Sequence, residues 1–210
     1  KNLKMMYNIC IGGDEMKANF LKRVLAFCFD YFILTLVLSF ITVGFNTSNE
    51  SFYTEISNIS KEYNEGNISV NEYNDKLMEL EYEYQKDNLP VNIINIVLFI
   101  GYFIVFGYLN KGQTLGKKIF KIRVVNDDGS TVKLSSLIIR SLFIYGIVSC
   151  AYSIICTSFL PIKVFTYSYK WVVNIETMVL FVCFLMAMYR KDGKGLHDLV
   201  SKTNVIGEVK

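Results

Sequence analysis

The segment that decides the fold is Leu21–Phe45, which reads LKRVLAFCFDYFILTLVLSFITVGF. A helix needs roughly 20 apolar residues to cross a hydrocarbon core of about 30 Å, and this run is long enough. It carries one carboxylate, Asp30, and begins with an arginine, Arg23. An Asp at the centre of a membrane helix costs about 2.5–3.5 kcal/mol on insertion scales, so Asp30 is expected to have a partner or a function. The segment predicts a membrane protein.

Asp30 needs a partner from another helix. Arg23 lies seven residues before it, on the same helix face but about 10 Å away along the axis, so the two do not pair directly. Arg140 stands at the start of the third apolar segment. We therefore predict an ion pair between Asp30 and Arg140.

Four apolar segments are predicted to span the membrane, at about residues 21–45, 91–109, 141–160 and 171–189. Hydrophobic residues make up 52% of the 210-residue chain, which is too apolar for a soluble domain of this length. Lysine and arginine accumulate before the first span, between the second and third, and after the fourth, as cytoplasmic segments do. The sequence predicts an all-α membrane protein with four transmembrane helices and both termini in the cytoplasm.

The loop 46–90 holds ten acidic residues and three lysines, and its poverty of Lys and Arg places it outside the cell. Amphipathic periodicity predicts two helices, near Phe52–Tyr63 and Val70–Lys86, separated at Gly66-Asn67. The loop is therefore an extracellular helical hairpin, either a solvated cap or a surface that binds a protein partner.

The loop 110–136 is basic, with six lysines and arginines against two acids, and is expected in the cytoplasm. Lys121–Val125 and Thr131–Leu134 have the composition of strands, and Asp128-Gly129 is a favourable turn, so a short β-hairpin is predicted. Its basic side chains are expected to contact anionic lipid headgroups. These residues are Lys117, Lys118, Lys121 and Arg123.

Residues 1–15 have neither periodicity nor a signal-peptide core. The stretch Gly12–Met16 back-translates to a bacterial ribosome-binding sequence at working distance from a start codon. We expect the native protein to begin at Met16 and residues 1–15 to be a non-native or disordered leader. A membrane domain over 16–206 and a short tail at 207–210 follow. The Asn, Ile, Lys and Tyr bias is typical of an AT-rich bacterial genome, so the expected location is a bacterial cytoplasmic membrane.

Three further ionisable residues are candidates for a site. Glu176 lies near the outer end of the fourth span, where it either reaches the interface or acts as an outer ion-binding or proton-accepting group. His197 and Asp198 follow that span and are candidates for a cytoplasmic proton-handling pair, because a histidine titrates near neutral pH. His197 can equally form a local cap. Because the two are adjacent, regular structure is expected to point their side chains in different directions.

The chain offers little for metal or cofactor chemistry. Its five cysteines contain no CxxC motif, and His197 is the single histidine, so neither a metal site nor a cofactor is expected. Without a nucleophile and base pair, an enzyme is not expected either. The basic loop lacks the aromatic residues of a nucleic-acid platform. Four cysteines lie in apolar runs and are predicted to be small buried side chains: Cys28, Cys150, Cys156 and Cys183.

Taken together, these residues resemble the RDD family of bacterial membrane proteins. That family is named for an arginine at the start of its first helix, an aspartate in the middle of that helix and a further aspartate. Arg23 and Asp30 match the first two, and the resemblance assigns the last to Asp198. It covers about Met16–Ile206 and implies a membrane location, with transport as the commonly proposed role. The other matching blocks are Gly112-Gln-Thr-Leu-Gly116-Lys117-Lys118, Lys121–Val125, Asp128-Gly129, Arg140, Gly195-Leu-His197-Asp198 and Ser201-Lys-Thr203.

Two functions remain open at this point. In the first, the protein is a membrane interaction or assembly factor, with ion pairs as structural contacts and an acidic outer loop that binds a partner. In the second, it transports a small cation or solute, with Asp30 alternately holding a proton or a cation in a proton-coupled antiport. A transporter of four helices is expected to be a homo-oligomer. In both cases the lipid bilayer is a partner and nucleic acid is not.

Overall fold

The computed structural model describes residues 17–43 and 49–207 of the chain. The predicted leader, the start at Met16, Cys10 and most of the predicted tail lie outside these residues. The described part is mostly helical, as the sequence predicts. Its helices are α1 (Phe20–Thr42), α2 (Asn49–Asn64), α3 (Val70–Asp87), α4 (Leu89–Phe99, continued by a π-helix at Ile100–Phe106), α5 (Gly107–Leu109), α6 (Leu115–Ile119), α7 (Leu134–Ile144), α8 (Ile147–Phe159), α9 (Ile162–Tyr189) and α10 (Leu196–Ser201), and its strands are β1 (Ile122–Asn126) and β2 (Thr203–Gly207).

Three described helices are long and apolar enough to cross a membrane: Phe20–Thr42, Leu89–Leu109 and Ile162–Tyr189. The pair α7 and α8 is bent at the break between its two helices and makes a fourth candidate span if it crosses as one. The expectation of a helical membrane protein is therefore confirmed, while the exact number of spans stays a prediction.

The chain divides into two compact units. Unit 1 contains residues 17–37, 98–145 and 178–207, and unit 2 contains residues 38–97, apart from 44–48, together with 146–177.

The core of unit 1 joins three distant stretches of chain. Strand β1 pairs antiparallel with β2, from Ile122 opposite Gly207 to Asn126 opposite Thr203. Lys17 bridges to Ile206, and the Ala18 amide donates to the Val205 carbonyl at 3.1 Å. The N-terminal segment, the loop after the second span and the C-terminal segment therefore meet at one sheet. The buried apolar residues of this core are Ala18, Ala26, Ile104, Ile122, Val124, Val132, Leu137 and Val205.

The predicted β-hairpin is wrong, because the main partner of β1 is β2 and not the segment Thr131–Leu134. Val125 makes an isolated bridge to Thr131 across the turn, but Leu134 already begins α7, so few residues remain for a second strand. Strand β2 instead offers five residues in register and buries Val205 in the core. A local pattern cannot reveal this partner, because it lies about 80 residues further along the chain.

In unit 2, α2 and α3 form a pair joined by a short turn. Ser69 caps α3, and the Glu72 carboxylate in turn accepts a hydrogen bond from the Ser69 amide at 2.8 Å. Lys76 Nζ lies 2.6 Å from Glu62 Oε2, which links the two helices. The two predicted helices of the acidic loop are therefore present, while their location outside the cell stays a prediction.

The predicted limits of the third and fourth spans, 141–160 and 171–189, differ from the helices observed. Helix α7 begins seven residues earlier, at Leu134, and ends before Gly146, whose φ of +68° is left-handed and cannot continue a helix. Helix α9 begins at Ile162, and Phe165 in its first turn is fully buried. The lysines at 163 and 170 made this stretch resemble a loop in the sequence.

Gly112 provides a test of the unit 1 core. It has a φ of +89°, and a Cβ there would overlap the Val124 carbonyl oxygen, whereas Gly66 has a φ of +75° and open space around it. Gly66→Ala should lose about 1–2 kcal/mol for backbone conformation alone. Gly112→Ala should lose several times as much, because β1 must also move. Thermal unfolding in detergent measures both, and equal losses would contradict the packing described.

Candidate functional site

The most highly charged buried site in unit 1 is centred on Asp198, which has no exposed surface. Arg140 donates to Asp198 Oδ1, and Arg23 Nη2 donates to Oδ2 at 2.5 Å. The Gly195 amide donates to Oδ2 at 3.0 Å, so Asp198 also caps the first turn of α10. Arg140 further donates to Thr203 Oγ1 at 3.2 Å. Helix α1, helix α7 and the C-terminal segment are thus tied to one carboxylate.

The charges around Asp198 determine its protonation. Burial by itself raises the pKa of Asp198, but Arg140, His197 and Arg23 together hold that pKa well below its usual range. Asp198 is therefore a carboxylate at neutral pH. Two guanidinium groups share it, which leaves the cluster with a net positive charge.

His197 contributes to the same cluster as a neutral ring. Burial lowers the pKa of His197 to about 4, and the nearby Arg140 acts in the same direction. His197 Nε2 lies 3.3 Å from Asp198 Oδ2, which makes it a hydrogen-bond donor. A Cβ on Gly195 would lie 2.5 Å from His197 Cε1, so the ring fits only because residue 195 is glycine. The Nδ1 atom of this buried ring has no hydrogen-bond partner among the described residues.

Two predictions about this cluster are wrong. Arg140 binds Asp198 and not Asp30, because the C-terminal segment folds back beside α7. The adjacent side chains of His197 and Asp198 do meet, because the Asp198 carboxylate turns back to cap α10 and passes the imidazole. The pairing of Arg23 with Asp198 depends on the same fold and was not visible in the spacing.

Asp30 forms a second buried cluster in unit 1, with 1% of its surface exposed. Oδ1 accepts from Tyr102 Oη at 2.5 Å and from the Gly116 amide at 2.7 Å. Oδ2 accepts from Thr114 Oγ1 at 2.5 Å. A Cβ on Gly116 would lie 2.8 Å from Oδ1, so this glycine allows the backbone to approach the carboxylate. Asp30 therefore binds the loop 112–118, which is the block GQTLGKK that resembles the RDD family.

Lys117 belongs to this second cluster and not to the lipid surface where it was predicted. Its Nζ lies 3.2 Å from Thr114 Oγ1 and 6.0 Å from the centre of the Phe103 ring. Burial lowers the pKa of Lys117 to about 8, while Asp30 opposes the shift. The side chain turns inward because α6 follows directly on Thr114. Lys118 and Lys121 are exposed and Arg123 is partly exposed, so their contact with headgroups stays a prediction.

Glu176 lies in unit 2 and has a local structural contact. Its carboxylate accepts from the amides of Val148 and Ser149, at 3.3 and 3.1 Å. These amides form the first turn of α8, where a negative charge is favourable. Glu176 is therefore a helix cap supplied by α9, a role that sequence spacing alone did not indicate.

The cysteines within residues 17–43 and 49–207 form no disulfide. All four described cysteines are free. Cys156 and Cys183 are buried as predicted and Cys150 is partly buried, but Cys28 is exposed, because it lies on the outward face of α1. Over the same ranges no three His, Cys, Asp or Glu side chains are grouped closely enough to hold a metal ion.

The profile of the RDD family matches residues 17–202, which is most of the chain. This protein belongs to the RDD family. Comparison with curated proteins and with solved structures gives no match. Within the RDD chain, the three residues assigned to the family name occupy the two buried clusters: Arg23 and Asp198 bind each other, and Asp30 binds the loop after the second span.

Replacing Asp198 by Asn should strongly destabilise this RDD protein. The change leaves Arg23 and Arg140 buried together without a counter-charge, and breaking such a buried pair costs about 3–5 kcal/mol. Asp192→Asn is the matched control, because its ion pair with Arg190 is exposed and worth less than about 1 kcal/mol. Unfolding temperatures in detergent compare the two. Similar losses in both variants would contradict a central role for Asp198.

The lowered pKa of His197 predicts an acid-sensitive fold. Between its unfolded pKa, about 6.5, and its folded pKa of about 4, the unfolded chain binds a proton that the folded protein does not. Stability should therefore fall as the pH drops through this window, by a total of about 3 kcal/mol. The stability supplied by Asp198 is lost only below the window, because its folded pKa is lower still. His197→Gln should flatten the pH dependence of the melting temperature, and an unchanged slope would refute this assignment.

Proposed function

We propose that this RDD-family protein is a non-enzymatic membrane interaction or assembly factor. Its buried charges act as structural contacts, and its acidic loop 46–90 binds a protein partner. The observation that carries the proposal is the saturation of Asp30: three fixed donors, Tyr102, Thr114 and Gly116, bind its two oxygens.

A transport carboxylate must exchange its ligand in each cycle. Asp30 instead accepts hydrogen bonds from two hydroxyl groups and one backbone amide. The amide is that of Gly116, which lies against the backbone of the core residue Ala26. Releasing these donors to admit a cation leaves several buried polar groups without partners, at about 1–3 kcal/mol each. This favours a permanent contact between α1 and the loop 112–118.

The acidic loop supports a role in binding. Its two helices are held together by the capping box at Ser69 and by the ion pair between Lys76 and Glu62. Gln85 near the end of α3 accepts from Asn92 Nδ2 at 2.8 Å and from Ser153 Oγ at 3.0 Å, which attaches α3 to other helices of unit 2. The helices therefore form a structured acidic surface, suited to a basic partner. The acids exposed on it are Glu50, Glu55, Glu65, Glu72, Asp75, Glu79, Glu83 and Asp87.

The strand pairing of unit 1 supports four membrane crossings. Because β1 pairs with β2 and Lys17 bridges to Ile206, these three points lie on the same side of the membrane. The chain between any two of them must then cross an even number of times. Between β1 and β2 lies the single long span Ile162–Tyr189, so the second crossing must be made within residues 134–161, the stretch that contains α7 and α8. The basic loop 110–136 assigns this side to the cytoplasm, and we propose a bacterial cytoplasmic membrane as the location.

Cation transport is the second candidate function, and Lys117 is the observation that favours it. Lys117 Nζ, Thr114 Oγ1 and Asp30 Oδ2 form a continuous chain of hydrogen bonds, at 3.2 and 2.5 Å. The pKa of Lys117, about 8, allows the amine to release and bind a proton near neutral pH. In this alternative, a proton-coupled antiport uses Asp30 in a homo-oligomer.

Asp30→Asn distinguishes the two functions. Wild type and variant are reconstituted in vesicles with a trapped pH dye, and gradients of Na⁺, K⁺ or Li⁺ are imposed at equal folded protein. The assembly role predicts no cation-dependent pH change for the wild type. It also predicts a lower melting temperature for the variant, by an amount that corresponds to about 1–3 kcal/mol, because an amide cannot accept all three hydrogen bonds.

Lys118→Gln, at an exposed position next to the cluster, is the control for loss of charge without loss of contacts. A pH change that the wild type produces and Asp30→Asn abolishes, with the melting temperature unchanged, would overturn the assembly role in favour of transport.

A further inference from the structure

Helix α7 in unit 1 has its polar residues inside and its apolar residues outside. The buried side carries Ser136, Arg140 and Ser141 together with Leu137. The opposite side consists of positions 134, 135, 138, 139 and 142, which fall within about 140° of one another at 100° per residue. Four of these five are large apolar residues. Their exposed fractions are 43% for Leu134, 41% for Ile138, 37% for Ile139 and 40% for Leu142.

This apolar stripe continues a surface that belongs in the membrane. Helix α7 packs against the inner end of the second span, where a Cβ on Gly107 would lie 3.9 Å from Leu137 Cδ1. On that span Val105, Tyr108 and Leu109 are exposed by 47%, 45% and 71%. The apolar surface of the span therefore extends onto α7, and phospholipid is the occupant that fits both.

The contacts of Arg140 indicate how deep α7 lies. Arg140 binds Asp198 and also Thr203, the first residue of β2. At the end where β2 begins, the sheet leads into a turn in which Asp127 and Asp128 are exposed, so this end of the sheet borders water. The middle of α7 is thus level with a layer of the protein that borders the aqueous phase.

An α7 oriented along the membrane normal would conflict with the depth at which Arg140 lies. Leu134 precedes Arg140 by six residues, about 9 Å along a helix axis, so it would project beyond the Arg140 level into water. Its apolar side chain would then be exposed to solvent beside the sheet. A helix lying in the plane of the membrane instead keeps Leu134, Ile138 and Leu142 at one depth.

We propose that α7 is an interfacial helix. It lies in the membrane plane at the boundary between headgroups and acyl chains, with the Leu134, Ile138 and Leu142 side in the lipid. On the opposite side of the helix, Arg140 binds Asp198 of the C-terminal segment, which covers that side. With 11 residues, about 16 Å, the helix is too short to cross the bilayer by itself. Lys133, exposed immediately before it, reaches the phosphate groups.

Tryptophan scanning of the full-length protein tests this depth. Trp171 is the single tryptophan, so Trp171→Phe provides a silent background. Leu134→Trp, Ile138→Trp and Leu142→Trp are introduced one at a time and reconstituted in vesicles of phosphatidylcholine and phosphatidylglycerol. Lipids with quenchers at different acyl positions then report the depth of each tryptophan. The three positions should give the same depth, about 5–10 Å into the headgroup and acyl boundary.

Ile100→Trp and Leu109→Trp provide the ruler, because both side chains are exposed on the second span and lie about 13 Å apart along it. A steady change of about 12 Å in depth from position 134 to position 142 would overturn the proposal, since it would make α7 an upright part of a span. Quenching of all three α7 positions by aqueous acrylamide, with no effect of the lipid quenchers, would also overturn it.

Discussion

The fold of unit 1 depends on the ion pairs of Asp198, a carboxylate that is buried away from water. A buried carboxylate is tolerated only when opposite charge and hydrogen-bond donors surround it, and here Arg23, Arg140, His197 and the Gly195 amide do so. Arg23 comes from α1 and Arg140 from α7, while His197 lies in α10 and Gly195 directly before it. Satisfying this one group therefore requires that α1, α7 and the C-terminal segment come together, and the pairing of β1 with β2 follows at the same place.

Asp30 also joins distant segments of the chain, but through hydrogen bonds and not through ion pairs. Its partners are two hydroxyl groups and a backbone amide, so it joins α1 to the loop 112–118 without a guanidinium group. The small residue Gly116 allows this approach, as Gly195 does beside His197. Through an arginine and two aspartates, the two clusters join segments that are distant in the sequence. The proposed lipid contact of α7 lies on the opposite side of the same helix that supplies Arg140, so the membrane and the Asp198 cluster hold α7 from its two sides.

Elements with a local signal in the sequence were predictable. The apolar run of α1 predicted a membrane helix, the amphipathic periodicity of the acidic loop predicted α2 and α3, and Gly66 marked the turn between them. Long-range contacts were not predictable in this way. Arg140 was paired with Asp30 because both are charges in apolar segments, and nothing in their spacing reveals that Asp198 competes for the same guanidinium. Lys117 was placed at the lipid surface for its charge, although its side chain turns inward to Thr114.

The sequence by itself determined that this is a helical membrane protein, because the length and hydrophobicity of its apolar runs indicate helices that can span a bilayer. Its residue blocks resemble those of the RDD family, and the family profile matches the chain. The sequence also determined which residues need partners, because an ionisable group in an apolar segment is costly wherever it lies. Only the tertiary structure decided which partners they have. The partners of Asp30 and Asp198 come from segments up to about 175 residues apart, and such contacts depend on how helices and strands pack in space, which no local periodicity encodes.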